Sequence, residues 1–474
     1  MQTYKKGFLT ILLLIGITSA ALAYIGSTTS PVDIVKPVIP PNSKGVVAID
    51  TKLVQDKTLK GSEGKVAVAL TLTGVNLPQE NEAEVQPIDL VVVLDRSGSM
   101  EGQKLNDART AVIRLMERLT PRDRLAVITY SDEVQIVSSL VLMNTTNLEN
   151  LTQTVRRIYA GGSTNLGGGL EQGIAMLLHA DGPQRQRKVI LISDGLANRG
   201  VIAPGALGAM AANGTEHNVA VSTVGVGYDF NEVLMTTIAD HGSGNYYFLE
   251  DPQSFAKVFE KEFETTRNIV AGNLEIRVPL HDGVQLIHAG GYPITKEGNV
   301  AVVHPGELLA GQQRNLFLTY HVPADKEGNF SLGTIDVQYQ HNCEQQTIST
   351  TEPLTVACVE DQKAVVASID KKAWSEQVVK EEYNKLKEDV ATAIRTGARE
   401  EALQTIQEYE DHNRTINSSV GSAAVSQNLD SDVKDLRQNV EGTFSGAPAA
   451  VEVQKKQQAK ALQYESYKMR RDKK

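Results

Sequence analysis

Hydrophobic and polar positions change rhythm several times along the chain. From Gly45 to Leu77 they alternate: "GVVAIDTKLV" and "KVAVALTLTGV" have the spacing of half-buried strands. From Ile88 the pattern shifts to continuous apolar runs separated by segments of helical period. "IDLVVVLD" (Ile88–Asp95), "DRLAVITYS", "RKVILISDG" and "NVAVSTVGVG" read as strands buried on both faces, with "VQIVSSLVL" a neighbour and "GNYYFLE" the last. Between the first two, "KLNDARTAVIRLMERL" places Leu105, Ala108, Val112, Leu115 and Leu119 on one helical face. Further helices fall at "NLENLTQTVRRI", "LGGGLEQGIAMLLHA", "FNEVLMTTIADH" and "PQSFAKVFEKEFETTRNIV". Continuous apolar strands alternating with helices predict an α/β domain, a doubly wound, mostly parallel sheet covered on both faces.

From Ala271 to about Val359 short strands return, separated by turn residues, which predicts an antiparallel β-sandwich. The strands of 45–86 need partners, because a lone hairpin is marginal. Joining this sandwich would leave the α/β domain as an insertion. Beyond Glu360 the chain is charged and helical. Tyr383, Leu386, Val390 and Ile394 recur at helical spacing, then Ala402, Ile406 and Tyr409, then Val433, Leu436 and Val440. The expected organisation is a leader over 1–24, a linker over 25–44 rich in Gly, Ser, Thr and Pro, strands over 45–86, the α/β domain over 87–269, the sandwich over 270–359, a helical region over 360–445, and a basic, solvated tail over 446–474.

Charge narrows the function classes. The 474 residues carry a formal net charge of -10. That speaks against nucleic acid as the partner, since such domains are normally basic. Lys5 and Lys6 precede an uncharged apolar run from Gly7 to Ala23, and Ala21-Leu22-Ala23 fits a small-x-small cleavage site. A cleaved signal peptide and a retained membrane anchor both fit, and both place the rest of the chain outside the cytoplasm: periplasmic, cell-surface or secreted. Cys343 and Cys358 are the only cysteines, and an even count in an exported chain suggests one disulfide, with two buried free thiols as the alternative.

The chemistry concentrates where strands end on carboxylates. "DLVVVLDRSGSM" stops on Asp95 and then offers Ser97 and Ser99; "LISDG" stops on Asp194; "GGSTNL" (Gly161–Leu166) supplies Thr164 from a glycine-flanked loop. Open parallel sheets present such strand ends to a common crevice. Two carboxylates brought together repel unless a cation joins them. Five oxygen donors without His or Cys make a site for a hard divalent cation, Mg²⁺ first, with Ca²⁺ or Mn²⁺ as alternatives. Only two of the five are charged, so a further acidic ligand would be drawn in. The plainer reading has Ser97 and Ser99 capping the following helix. Asp132, in "YSDEV", reads as a turn residue, and the histidines are scattered without metal-ligand spacing.

As a set, "VVVLDRSGSM", "GGSTNL" and "LISDG" resemble the von Willebrand factor type A domain with its metal-ion-dependent adhesion site, over about Ile88 to Ile269. The flanking strands and helical C-terminus make the chain similar to bacterial exported members called calcium-activated-chloride-channel-like, and distantly to inter-alpha-trypsin-inhibitor heavy chains. The resemblance implies hydroxyl ligands Ser97, Ser99 and Thr164, with Asp95 and Asp194 acting directly or through water. It also implies a non-enzymatic adhesion or assembly module, in which the cation captures an Asp or Glu of a partner protein. Two alternatives stay open. One is a scaffold that binds partners through its sandwich or helices, with metal only stabilising. The other is a metal-dependent hydrolase, although GxSxG, P-loop and GxGxxG motifs are missing at strand–helix junctions.

Overall fold

A computed structural model describes residues 43–76, 86–182, 185–250, 254–281, 283–342 and 344–471. The expected leader, residues 25–42 of the expected linker and Cys343 lie outside the described residues; the last two linker positions, Ser43 and Lys44, form a short strand. Among the described residues, no helix is long and apolar enough to cross a membrane.

The described residues open with β1 (Ser43–Lys44), β2 (Val47–Leu53), β3 (Lys57–Leu59) and β4 (Lys65–Gly74). The α/β domain follows, as β5 (Ile88–Asp95), α1 (Gln103–Arg118), β6 (Arg124–Tyr130), β7 (Val134–Leu142), α2 (Thr145–Arg156), α3 (Leu166–Leu178), β8 (Gln186–Ser193), α4 (Pro204–Glu216), β9 (Val219–Val226), α5 (Glu232–His241), β10 (Ser243–Leu249) and α6 (Phe255–Arg267). Its sheet runs β10-β9-β8-β5-β6-β7, parallel except for the edge strand β7. β5 is central. The chain leaves it towards β6 and later returns to its other side as β8, so the connection order reverses at the carboxyl end of β5. That reversal opens a crevice there.

Strand parity builds two cores from one strand. Leu90, Val92 and Leu94 face α1, α2 and α6, whereas Val91 and Val93 face α3, α4 and α5. All five apolar positions expected on the inner face of α1 are buried. Glycines bring α3 close to the sheet. A β-carbon at Gly169 or at Gly173 would come within 2.7 Å of the Tyr130 ring or of Val93.

A one-residue connection, Asn268, leads from α6 into β11 (Ile269–Pro279). Then come β12 (Gln285–Ala289), β13 (Ile294–Glu297), β14 (Val300–Leu309), β15 (Gln313–His321), β16 (Gly328–Gly333), β17 (Asp336–His341), β18 (Glu344–Ser349) and β19 (Leu354–Val359). The sandwich packs β1-β2-β4-β15-β12 against β13-β14-β11-β17-β18 around Leu70, Leu318, Ile276, Val303 and Val337. β4 pairs with β15 along its whole length, so strands on both sides of the α/β domain share one sheet. β16, β19 and β3 form a small third sheet. Cys358, in β19, is a buried free thiol. The structure therefore carries no Cys343–Cys358 disulfide.

The helical region holds α7 (Gln362–Ala367), α8 (Lys371–Glu376), a π-helical turn (Gln377–Glu382), α9 (Tyr383–Thr396), α10 (Arg399–Val420), α11 (Ala423–Gln427), a second π-turn (Asn428–Asp432), α12 (Val433–Thr443) and α13 (Pro448–Arg471). Its core of Val390, Ile394, Ile406, Leu436 and Leu462 also takes in Ala67 and Phe317 from the outer face of the sandwich.

The basic segment after 446, read from sequence as solvated, is instead helix α13 docked on the α/β domain and the sandwich. Its cations find carboxylates. Lys460 Nζ lies 2.7 Å from Glu232, Arg470 lies 2.8 Å from Asp240, and Arg471 reaches Asp240 at 3.1 Å. The Tyr467 hydroxyl accepts the Tyr246 backbone N–H at 2.8 Å.

Candidate functional site

The five sequence-selected oxygen donors gather at the carboxyl end of the parallel sheet. Asp95 ends β5 and Asp194 follows β8; both side chains are fully buried. Ser97 Oγ lies 3.1 Å from Ser99 Oγ, and Ser99 Oγ donates to Asp194 Oδ1 at 2.7 Å. The Ser97 N–H donates to Asp95 Oδ1 at 2.8 Å. Thr164 comes from the loop before α3. A β-carbon placed on Gly195 would sit 3.3 Å from Ser99 Oγ and 3.8 Å from Thr164 Oγ1, so all three loops converge on that glycine. Asp95, Ser97 and Thr164 are buried while Ser99 is exposed, which gives the cluster one solvent-facing side.

Backbone bonds hold these loops together. The Gly161 N–H donates to Arg96 O at 2.7 Å, and the Gly98 N–H to Gly162 O at 3.0 Å. Asn198 grips the Thr164 backbone on both sides, accepting its N–H on Oδ1 at 2.9 Å and donating its own N–H to Thr164 O at 3.2 Å. Gly162 has φ +87, and a β-carbon there would collide with the Asp132 carboxylate. Ser97 makes no side-chain capping bond to the short 3-10 turn after it, so its hydroxyl is not a helix cap.

The electrostatics set Asp95 apart. The buried carboxylates are Asp89, Asp95, Asp123, Asp194, Glu232, Asp240 and Glu262. Asp89 pairs with Arg124 and Arg185, Asp123 with Arg267, Asp194 with Lys104, Glu232 with Lys460 and Arg395, Asp240 with Arg470 and Arg471, and Glu262 with Lys188. Among these seven, Asp95 alone has no cation within ion-pair distance in the described residues. Burial pushes its carboxyl up to about 6, opposed by the hydrogen bonds from Ser97 and Ser193 and reinforced by Asp194. The donor set fits a hard divalent cation: all-oxygen, two carboxylates, and one of them, Asp95, with hydrogen bonds but no cation among the described residues.

Sequence reasoning did not single out Ser193, Lys104 or Asn198. Ser193 Oγ donates to Asp95 Oδ2 at 2.9 Å, and Lys104 Nζ lies 2.5 Å from Asp194 Oδ2. Asp132 stands at the rim, where Arg199 contacts it at 3.1 Å and the Ser163 N–H donates to it at 3.2 Å. Among the described residues no group of three or more His, Cys, Asp or Glu side chains is placed to hold a metal, so the hydroxyls are essential to the set.

A family model described as the von Willebrand factor type A domain matches residues 89–261. The chain carries a VWA domain. The match covers the doubly wound sheet and the loops that bear the five oxygens. A protein from Synechocystis sp., sll0103, is 28% identical over 280 residues, 56% of this chain and 65% of its own length. Inter-alpha-trypsin inhibitor heavy chain H3 of Mesocricetus auratus is 28% identical over 259 residues, 53% of this chain and 28% of its own. The chain thus spans less than two thirds of either relative. The fold extends beyond the VWA domain: a von Willebrand factor type A protein from Catenulispora acidiphila superposes with a TM-score of 0.66 at 16% identity, covering 90% of this chain and 98% of its own. The ArnB paralog VWA2 from Sulfolobus acidocaldarius gives 0.53 at 19% identity over 89% of this chain and 99% of its own.

Proposed function

We propose that this protein is a non-enzymatic, exported binding module whose VWA domain holds a divalent cation and captures an acidic residue of a partner protein. Domains of this family commonly mediate protein–protein interaction or adhesion, which supports the general reading. The specific reading is carried by Asp95, the buried carboxylate that no cation among the described residues neutralises. Asp95, Ser97, Ser99, Thr164 and Asp194 would hold the ion, Mg²⁺ first and Ca²⁺ or Mn²⁺ otherwise. The ion would supply a Lewis-acid position for a carboxylate oxygen. The chain's own residues orient that position. Asn198 fixes the Thr164 backbone, Ser193 fixes Asp95, and the cross-loop backbone bonds hold the turn open on the Ser99 side.

The rim indicates what surrounds the captured carboxylate. Tyr159, Leu196 and Ile202, on the loops that bear the site, are 75%, 58% and 52% exposed. The Arg96 guanidinium stands 5.8 Å from the Tyr159 ring centroid. A partner loop presenting Asp or Glu between apolar side chains matches this surface.

The test is selection from a displayed loop library on the full chain in Mg²⁺. Enriched loops should carry an acidic residue flanked by apolar ones, and their binding should vanish with EDTA or with Asp95→Ala. Enrichment that survives both treatments rejects the proposal.

A further inference from the structure

Four of the five oxygens of the VWA site, those of Asp95, Ser97, Ser99 and Thr164, sit on two loops laced together by backbone bonds, and Arg96 lies on the seam between them. Its backbone is held on both sides. The Arg96 N–H donates to Tyr130 O at 2.9 Å, and its carbonyl accepts the Gly161 N–H at 2.7 Å. Its side chain turns to the second loop, where the guanidinium carbon lies 5.8 Å from the centre of the Tyr159 ring, within cation–π range. Tyr159 is mostly exposed and Arg96 is half-buried, so the pair reaches the rim. The neighbouring cations are occupied: Lys104 by Asp194 and Arg199 by Asp132. Arg96 is not. Among the described residues its side chain has no ion pair, and its Nε is buried without an acceptor. Asp95, one residue away, does not take it, and Glu101, at the end of the same turn, is exposed and outside ion-pair distance of it.

We infer that the VWA site recognises two acids on one partner segment, the first taken by the cation and the second by the Arg96 guanidinium, which Tyr159 holds in place. The inference rests on the reading proposed above for that site and adds the charge pattern of the partner to it. Capture of one carboxylate would leave Arg96 still without a counter-charge. A guanidinium packed against a ring keeps its fork of N–H donors, which matches a carboxylate in a two-point contact that a lysine ammonium cannot copy. The contact also brings the second acid onto the exposed Tyr159 ring, next to the apolar rim. Arg96 follows Asp95 directly, so the two anchors are about one arginine side chain apart. An extended segment covers that span in about two or three residues, at roughly 3.3–3.6 Å each.

The test is selection on the full chain in Mg²⁺ from displayed loops that carry one fixed aspartate among randomised positions. The wild-type chain should enrich a second Asp or Glu at a single spacing from the first. Arg96→Gln should lose that second acid while still selecting Mg²⁺-dependent loops, and Arg96→Glu should replace it with Lys or Arg. In calorimetric titration of the wild type, changing the second acid of the enriched loop to its amide should weaken binding roughly tenfold, as loss of a two-point charged contact implies. In Arg96→Gln the same change should cost almost nothing, because the contact is already gone. Mg²⁺-dependent loops without an enriched second acid, or a second acid retained by Arg96→Gln, overturn this inference and leave the cation reading standing. Loops that bind equally in EDTA overturn both. The amide change is made on the peptide, so a loss of less than about twofold in the wild type overturns the inference even if Arg96→Gln fails to fold.

Discussion

Two of the places where the molecule buries carboxylates treat them oppositely. Under α13, Asp240 faces two guanidiniums, and Glu232 faces Lys460 and Arg395. Burial alone would raise the Glu232 carboxyl, yet those cations hold it below its ordinary value. At the top of the VWA sheet, Asp95 receives only hydroxyl and amide donors, and its carboxyl rises to about 6. The first arrangement takes its counter-charges from within the chain, two cations to each acid, so it stabilises without a further ion. The second is left short of positive charge, so it can recruit. Burial of acid therefore does not mark a site; burial without an internal counter-charge does.

The largest expected effect is at the recruiting end. Asp95→Ala should abolish Mg²⁺ or Mn²⁺ binding, read by Mn²⁺ paramagnetic resonance, while α13 remains docked. At the matched end, Asp240→Ala strands Arg470 and Arg471, both largely buried. It should cost about 3–5 kcal/mol of stability without weakening metal affinity. Thermal unfolding and the same Mn²⁺ titration separate the two. If Asp240→Ala also removed the metal, the division between the regions would fail.

A smaller effect comes from Glu382, next to the π-turn's buried acid. Burial pushes its carboxyl up to about 7, against the hydrogen bond with Asn413 and with Glu381 adding to the rise. Its folded value exceeds the unfolded one, about 4.3, so the folded state holds the proton more tightly. The associated stability is full below about pH 4.3 and is lost as pH rises through 7. The melting temperature should therefore fall between pH 5 and pH 8, with a shallower slope in Glu382→Gln. The smallest expected effect is at Lys104. Replacing it with Met removes the ammonium that competes for Asp194, and should tighten Mg²⁺ binding by about threefold to tenfold.

The fold class was legible because its signals are local: continuous apolar strands, the 3.6 period of α1, and the glycines of α3. The oxygens of the VWA cluster were also legible, since each lies in a short peptide with its own glycine or strand-end cue. Ser193 was not. Its partnership with Asp95 depends on the β5–β8 register, which aligns Leu94 with Ile192 and so brings the two next residues together. Lys104 needed the direction of the first turn of α1. The fate of the basic C-terminus was hidden for a different reason. Arg470 and Arg471 meet Asp240 from some 230 positions away in sequence, and isolated charge gives no hint of so distant a partner. The disulfide expectation rested on parity of cysteine count, which carries no distance.

The insertion of one domain inside another has a mechanical consequence. Only Asn268 separates α6 from β11, so the last helix of the VWA domain continues almost directly into a central strand of the sandwich. There is no slack to absorb displacement at that junction. Tension exerted on a captured partner would load the sandwich at once, and a shift of that helix along its axis would tug on a strand that is hydrogen-bonded on both edges.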